Sequence, residues 1–83
     1  MPLFYFDVRD DGQSFPDDEG QHLASIDAAE AEAAEAAAAI AVDVLPARRS
    51  GELVIEVRDA GRELLLTVSV ALRVQRIPET RVK

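Results

Sequence analysis

The stretch from Ser25 to Leu45, SIDAAEAEAAEAAAAIAVDVL, decides how the rest of the chain is organised. Alanine and glutamate are strong helix formers, and no glycine or proline interrupts the run, so it predicts one helix. Ser25 is suited to cap the first turn, and Pro46 is expected to end the helix because a residue before proline avoids the α region. Such a helix is about 30 Å long at 1.5 Å per residue.

Two rows of small or aliphatic side chains run along this helix. The first row predicts the face that packs against the core. It consists of Ile26, Ala29, Ala33, Ala37, Ile40 and Val44. The second row lies about 80° away, and its small side chains would let another element approach closely. It consists of Ala34, Ala38, Ala41 and Leu45.

Two short strands are predicted before the helix. Residues 3–9, LFYFDVR, are aromatic and β-branched, with Phe4 on one face and Tyr5 on the other. The Asp11-Gly12 pair predicts a hairpin turn with a positive φ at Gly12. A return strand would begin near Ser14, and Pro16 would keep it short because proline lacks a backbone donor.

Two more strands are predicted after the helix. Residues 52–58 alternate between apolar and polar positions, and Asp59 to Arg62 form a hairpin turn with Gly61 suited to the left-handed region. The longest strand follows from residue 64 to about residue 74. We expect it to lie inside the sheet, with Leu66 and either Val68 or Val70 buried against the helix.

The element order β-β-α-β-β predicts an α+β fold. Because one helix cannot cover both faces of a sheet, we expect a two-layer sandwich: a mostly antiparallel four-stranded sheet with the alanine-rich helix on one face. Residues 1–83 form a single domain in this interpretation, and residues 77–83 form a frayed tail.

Composition and charge exclude several classes of protein. The chain has 83 residues, no cysteine and a formal net charge of −7. Residues 1–47 carry eleven acids and one base, whereas residues 48–83 carry eight bases and five acids. An acidic surface repels phosphate backbones and anionic lipid, so we expect neither nucleic-acid nor membrane binding. No signal peptide or membrane span is apparent, which favours a soluble cytoplasmic protein.

Few residues suggest chemistry. His22 has no nucleophile or orienting acid near it in the sequence, and a polar loop residue explains it better. The acids between Asp7 and Asp18 resemble a calcium loop only faintly, since Arg9 occupies a ligand position and no helices flank it. The arginines after residue 47 lack the interleaved aromatics of a nucleic-acid site and are expected to pair with acids. We therefore predict a protein that is not an enzyme and that has no catalytic residue, metal or cofactor.

A family resemblance extends over nearly the whole chain. Its motifs are Tyr5-Phe6-Asp7, Asp11-Gly12, Asp18-Glu19-Gly20, Leu23, the Ala28-Ala29 helix start and Val57-Arg58-Asp59-x-Gly61-Arg62. They resemble a family of small uncharacterised proteins, mostly alphaproteobacterial, known as a domain of unknown function. The resemblance implies this fold and source and no activity. The strand, turn and helix order is also distantly similar to HicB-type antitoxin domains, although those usually have three strands before the helix.

Two functional hypotheses follow from the sequence. The first is a non-catalytic interaction or structural module that self-associates as a homodimer or binds a protein partner. Its candidate interaction surface is the sheet face away from the helix, which is more apolar than a solvated face requires. That surface consists of Leu3, Tyr5, Val54, Leu65, Thr67 and Ala71. The alternative is an antitoxin-like module whose acidic half masks a small basic protein.

Overall fold

The computed structural model of the protein describes residues 1–78, which form one helix and one antiparallel sheet. In chain order the elements are β1 (Leu3–Asp10), β2 (Gln13–Phe15), β3 (Gln21–His22), α1 (Ile26–Arg48), β4 (Ser50–Arg58) and β5 (Leu64–Arg73). The strands lie in the order β2-β1-β4-β5, and β3 also pairs with β1. The predicted α+β fold is confirmed. Residues 79–83 of the predicted tail lie outside the described residues.

The sheet differs from the prediction in two respects. It has five strands, because the segment after Pro16 returns to β1 as the two-residue strand β3. The prediction that the longest strand lies inside the sheet is wrong. β4 pairs with β1 on one side and with β5 on the other, so β4 is interior and β5 lies at the edge.

Helix α1 begins as predicted and ends later. The Ser25 hydroxyl accepts a hydrogen bond from the backbone N–H of Ala28, which caps the first turn. Pro46 lies inside the last turn, where its missing N–H removes only one helical hydrogen bond. The helix ends at Arg49, which has φ 68° and donates its N–H to the carbonyls of Leu45 and Pro46.

The buried ridge of α1 recurs every fourth residue. It consists of Ala29, Ala33, Ala37, Ala41 and Leu45. The sequence placed the first three in the core row, but Ile26 is exposed, and Ile40 and Val44 are only half-buried. Residues four apart differ by about 40° around the helix, so the buried ridge rotates slowly along its length. Near the C-terminal end of the helix it therefore leaves the first predicted row and continues through Ala41 and Leu45 of the second.

The core lies between this ridge and the sheet, and α1 lies over β4 and β5. Leu53, Ile55 and Val57 of β4 are fully buried, together with Phe4 of β1. Leu66 and Val68 of β5 pack against this core but stay half-buried because they lie on the edge strand. No helix in residues 1–78 is both long and apolar enough to cross a membrane.

Two turns set the hairpins. Asp11 and Gly12 both have positive φ, 47° and 91°, which matches the twist of β1 and β2 as predicted. In the β4–β5 hairpin the left-handed residue is Arg62, with φ 70°, and not Gly61. The Asp59 carboxylate accepts hydrogen bonds from the N–H groups of Gly61 and Glu63, and it holds this turn in place.

Candidate interaction surface

Charged side chains occupy the part of the outer sheet face that is centred on Asp7. The Asp7 residue is only 8% exposed. Its Oδ2 accepts hydrogen bonds from Arg58 Nε at 3.2 Å and from Arg62 Nη2 at 2.6 Å. Arg58 also pairs with Glu56, which in turn pairs with Arg9 on β1. These ion pairs join β1, β4 and the β4–β5 turn, so they act as a structural network.

The Asp17 carboxylate binds a backbone N–H of β1 that lies between the part of β1 paired with β2 and the part paired with β3. Its Oδ2 accepts the backbone N–H of Phe6, and its Oδ1 accepts those of Glu19 and Gly20. Burial alone would raise the pKa of Asp17. The N–H groups of Phe6, Gly20 and Glu19, with the positive charge of Arg62, bring that pKa below its usual range.

A second ion cluster ties the end of α1 to the β1–β2 turn. Arg48 Nη2 donates to Asp10 Oδ2 at 2.9 Å, and Nη1 donates to Asp11 Oδ2 at 3.1 Å. The hydrogen bond from Arg48 lowers the pKa of Asp10. Asp11 Oδ1 also accepts the N–H of Glu52 at the start of β4. Three of the acids that resembled a calcium loop, Asp7, Asp10 and Asp11, therefore bind arginine or backbone groups.

His22 is exposed on β3 and pairs with Leu3 through the backbone. In residues 1–78, no group of three or more His, Asp or Glu side chains is placed to hold a metal ion. Arg48, Arg58 and Arg62 pair with acids, as the sequence analysis expected.

The six residues predicted as an interaction surface have different surroundings. Arg62 lies over the ring of Tyr5 at 4.8 Å from its centroid, and Leu3 packs beside Gly20. Val54 is only 7% exposed. Leu65, Thr67 and Ala71 are exposed on β5. Of the predicted surface, the part with the most area available to a partner is therefore on the edge strand.

The outer edge of β5 has no strand partner within residues 1–78. Its residues from Leu64 to Leu72, LLLTVSVAL, carry no charge and no proline. Natural proteins usually protect such an edge with charges, prolines, bulges or a covering element, because its unpaired N–H and C=O groups are a template for another strand. A register shift near the start of β5 leaves Leu65 without a partner on β4, because Arg58 pairs with Leu64 and Val57 with Leu66. We call Leu64–Leu72 the open edge.

An apolar groove runs beside the open edge, between α1 and β5. It has a volume of about 260 Å³. Its lining consists of Ala38, Ala41, Val42, Leu45, Pro46, Val70, Ala71 and Leu72. Val42 is 70% exposed, a large fraction for a β-branched residue in the middle of a helix. Three residues of the second predicted helix row, Ala38, Ala41 and Leu45, thus meet β5 here.

A protein-family model described as a domain of unknown function, DUF6894, matches residues 3–71. The match begins at the first residue of β1 and reaches well into β5, so it includes every element of the fold. The chain belongs to the DUF6894 family. A comparison with curated proteins and a comparison with solved structures found no match.

The match agrees with the predicted resemblance to a domain of unknown function. In this DUF6894 domain, the motifs behind that resemblance are structural. Asp7 and Asp11 hold ion pairs, Gly12 forms a turn, and Asp59 holds the hairpin. Sequence analysis missed Asp17 and Val42. The Pro16-Asp17 pair after a short strand could have indicated the first, and a valine that continues the row of small residues at Ala34 and Ala38 could have indicated the second.

Proposed function

We propose that this DUF6894 protein is a non-catalytic interaction module that self-associates through the open edge of β5. The observation that carries the proposal is the open edge itself, nine uncharged residues beside an apolar groove. Pairing this edge with another strand would satisfy its backbone groups, and covering the groove would remove apolar side chains from water.

The rest of the molecular surface offers less to a partner. The opposite edge of the sheet is formed by the short strands β2 and β3, which pair with β1, and Asp17 accepts the β1 N–H that lies between them. The outer sheet face is crossed by the ion pairs around Asp7. The open edge and its groove therefore combine unsatisfied backbone groups with exposed apolar area.

A charge on the open edge tests the proposal. Ser69 is exposed near the middle of β5, and Ser69→Glu would place two like charges close together in a paired edge. We expect the unmutated protein to be a dimer by light scattering at high micromolar concentration, and Ser69→Glu to be a monomer with unchanged helix content.

Ser14→Glu is the matched control. Ser14 is an exposed serine on β2, at the other edge of the sheet, and the new charge would face Arg9. This variant should remain a dimer. A monomer mass for the unmutated protein over the whole concentration range would refute self-association.

The second candidate function is the antitoxin-like module. The observation that favours it is the exposed acidic surface of α1: none of the ion pairs within residues 1–78 includes Glu30, Glu32 or Glu35. A small basic protein would bind this surface through charge, with an affinity that falls steeply with salt. A monomeric protein that gains thermal stability from a polylysine peptide at low salt would favour this second function over self-association.

A further inference from the structure

We infer that the self-association joins two copies into one continuous sheet, with their helices side by side on the same face and in contact through Ala38. This inference rests on the proposed function and adds the geometry of the partner: a second copy of this chain, related by a two-fold axis perpendicular to the sheet at Ser69. Its basis is the symmetry of strand pairing together with the position of α1.

Symmetry fixes the face on which the second helix lies. Two copies of the same strand can pair edge to edge and antiparallel only about a two-fold axis perpendicular to the sheet. Residues directly opposite each other point to the same side of a sheet. Since Leu66 and Val68 face the helix side in one copy, they do so in both copies, and both helices lie on one face.

The open edge favours one register. The register shift at Leu65 leaves Leu66–Leu72 as the regular, uncharged part of β5. Centring the pair on Ser69 matches all seven of these residues, because Leu66 then lies opposite Leu72 of the other copy and Arg73 stays outside the pair. Val68 is opposite Val70, a pair of β-branched residues that suits antiparallel strands.

The spacing of the strands brings the helices into packing distance. Neighbouring strands lie about 4.8 Å apart, and α1 lies over β4 and β5. A helix between these two strands is about 5 Å from the two-fold axis, so the two helix axes lie about 10 Å apart. Packed helices have interaxial distances of 8–10 Å, with the shortest distances between small side chains. The exposed ridge on that side consists of Ala34, Ala38 and Val42.

Ala38 is close to the axis along the length of the helix. In the groove, Val42 and its neighbours lie beside Val70, Ala71 and Leu72. Stepping from Ala71 back to Ser69 covers about 7 Å along the strand, which equals four or five helix residues at about 1.5 Å each. Counted back from Val42, the axis therefore passes the helix close to Ala38.

The contact area is modest. Seven strand residues are about 23 Å long, and the sheet edge with the adjoining helix side is about 15 Å deep, which gives roughly 350 Å² per copy. Specific interfaces begin near 1,000 Å² in total, so the dimer should dissociate on dilution.

Cysteine crosslinking tests this geometry, because the chain contains no cysteine of its own. Ala38→Cys would be treated with a short bismaleimide at high micromolar protein concentration and analysed on denaturing gels. Ala39→Cys is the matched control: it replaces a neighbouring exposed alanine that points about 100° further round the helix. We expect at least a tenfold higher crosslinked fraction for Ala38→Cys than for Ala39→Cys, and loss of the difference in the Ser69→Glu background.

The outcomes separate the two proposals. Equal crosslinking of both cysteine variants, in a protein that light scattering shows to be a dimer, would overturn the side-by-side helices and leave self-association intact. A monomer by light scattering would overturn both. Circular dichroism of each variant confirms that the substitution has not unfolded the helix.

Discussion

At the scale of single residues, the carboxylates of Asp7 and Asp17 make contacts that the sequence pattern did not indicate. Asp7 lies on the outer sheet face, yet it is buried, and two arginines and the N–H of Asp17 satisfy it. These partners come from parts of the chain 10 to 55 residues away. Local spacing cannot reveal such pairs, whereas the Asp11-Gly12 turn depends only on its own two residues and was predicted correctly.

The pKa of Asp17 leads to a prediction about acid stability. Because that pKa is lowered in the folded state, the ionised carboxylate contributes stability above the unfolded pKa of about 3.9. The contribution is lost as the pH falls through the folded pKa. Asp17→Asn should therefore be less stable than the unmutated protein at pH 7, and the difference should shrink below about pH 4. Urea unfolding at a series of pH values measures it.

Asp18→Asn serves as the control for this experiment. Asp18 is the neighbouring acid and is exposed. Its substitution should change stability little at any of these pH values. A constant difference between Asp17→Asn and the unmutated protein from pH 7 to pH 3 would contradict the role given to the Asp17 carboxylate.

At the scale of elements, the helix and the paired strands follow from local patterns, and their arrangement does not. Alanine content predicted α1, and alternation predicted β4 and β5. Strand length suggested that β5 was interior, but the length of a strand does not indicate which strands it pairs with. The position of β4 is set by its pairing with β1, 43 to 53 residues earlier in the chain, and β5 takes the place that remains.

Because β4 is interior and β5 lies at the edge, the core position most sensitive to substitution is expected on β4 and not on β5. Ile55 is 1% exposed, whereas Leu66 is half-buried at the edge. We expect Ile55→Ala to lower the free energy of unfolding by roughly 2–5 kcal/mol, and Leu66→Ala to lower it by less, because less of its side chain leaves water on folding. Both changes would be measured by urea unfolding in the Ser69→Glu background, so that self-association does not contribute. An equal or greater loss for Leu66→Ala would show that the edge strand carries more of the core than its exposure indicates.

At the scale of the whole molecule, the core is small for a chain that folds alone. Five of its buried hydrophobic residues lie on α1, and four of these are alanines. Alanine brings the helix close to the sheet but contributes little buried area, and domains of this size are marginal even with larger core residues. A second copy that covers the groove and the open edge would bury apolar area in the part of the monomer that buries least of it. Self-association and stability should therefore be coupled.

This coupling predicts a melting temperature that depends on protein concentration. When a dimer dissociates as it unfolds, each tenfold rise in concentration favours the folded dimer by about 1.4 kcal/mol, or about 0.7 kcal/mol per copy. For a domain of this size that corresponds to a rise of roughly 3–5 °C in melting temperature per tenfold rise in concentration. Scanning calorimetry at about 20 and about 200 µM should show it for the unmutated protein and for Ser14→Glu. Ser69→Glu should melt at one temperature at both concentrations, because its unfolding is unimolecular. A concentration-independent melting temperature for the unmutated protein would contradict the coupling between self-association and stability, and would leave the open edge to a different partner.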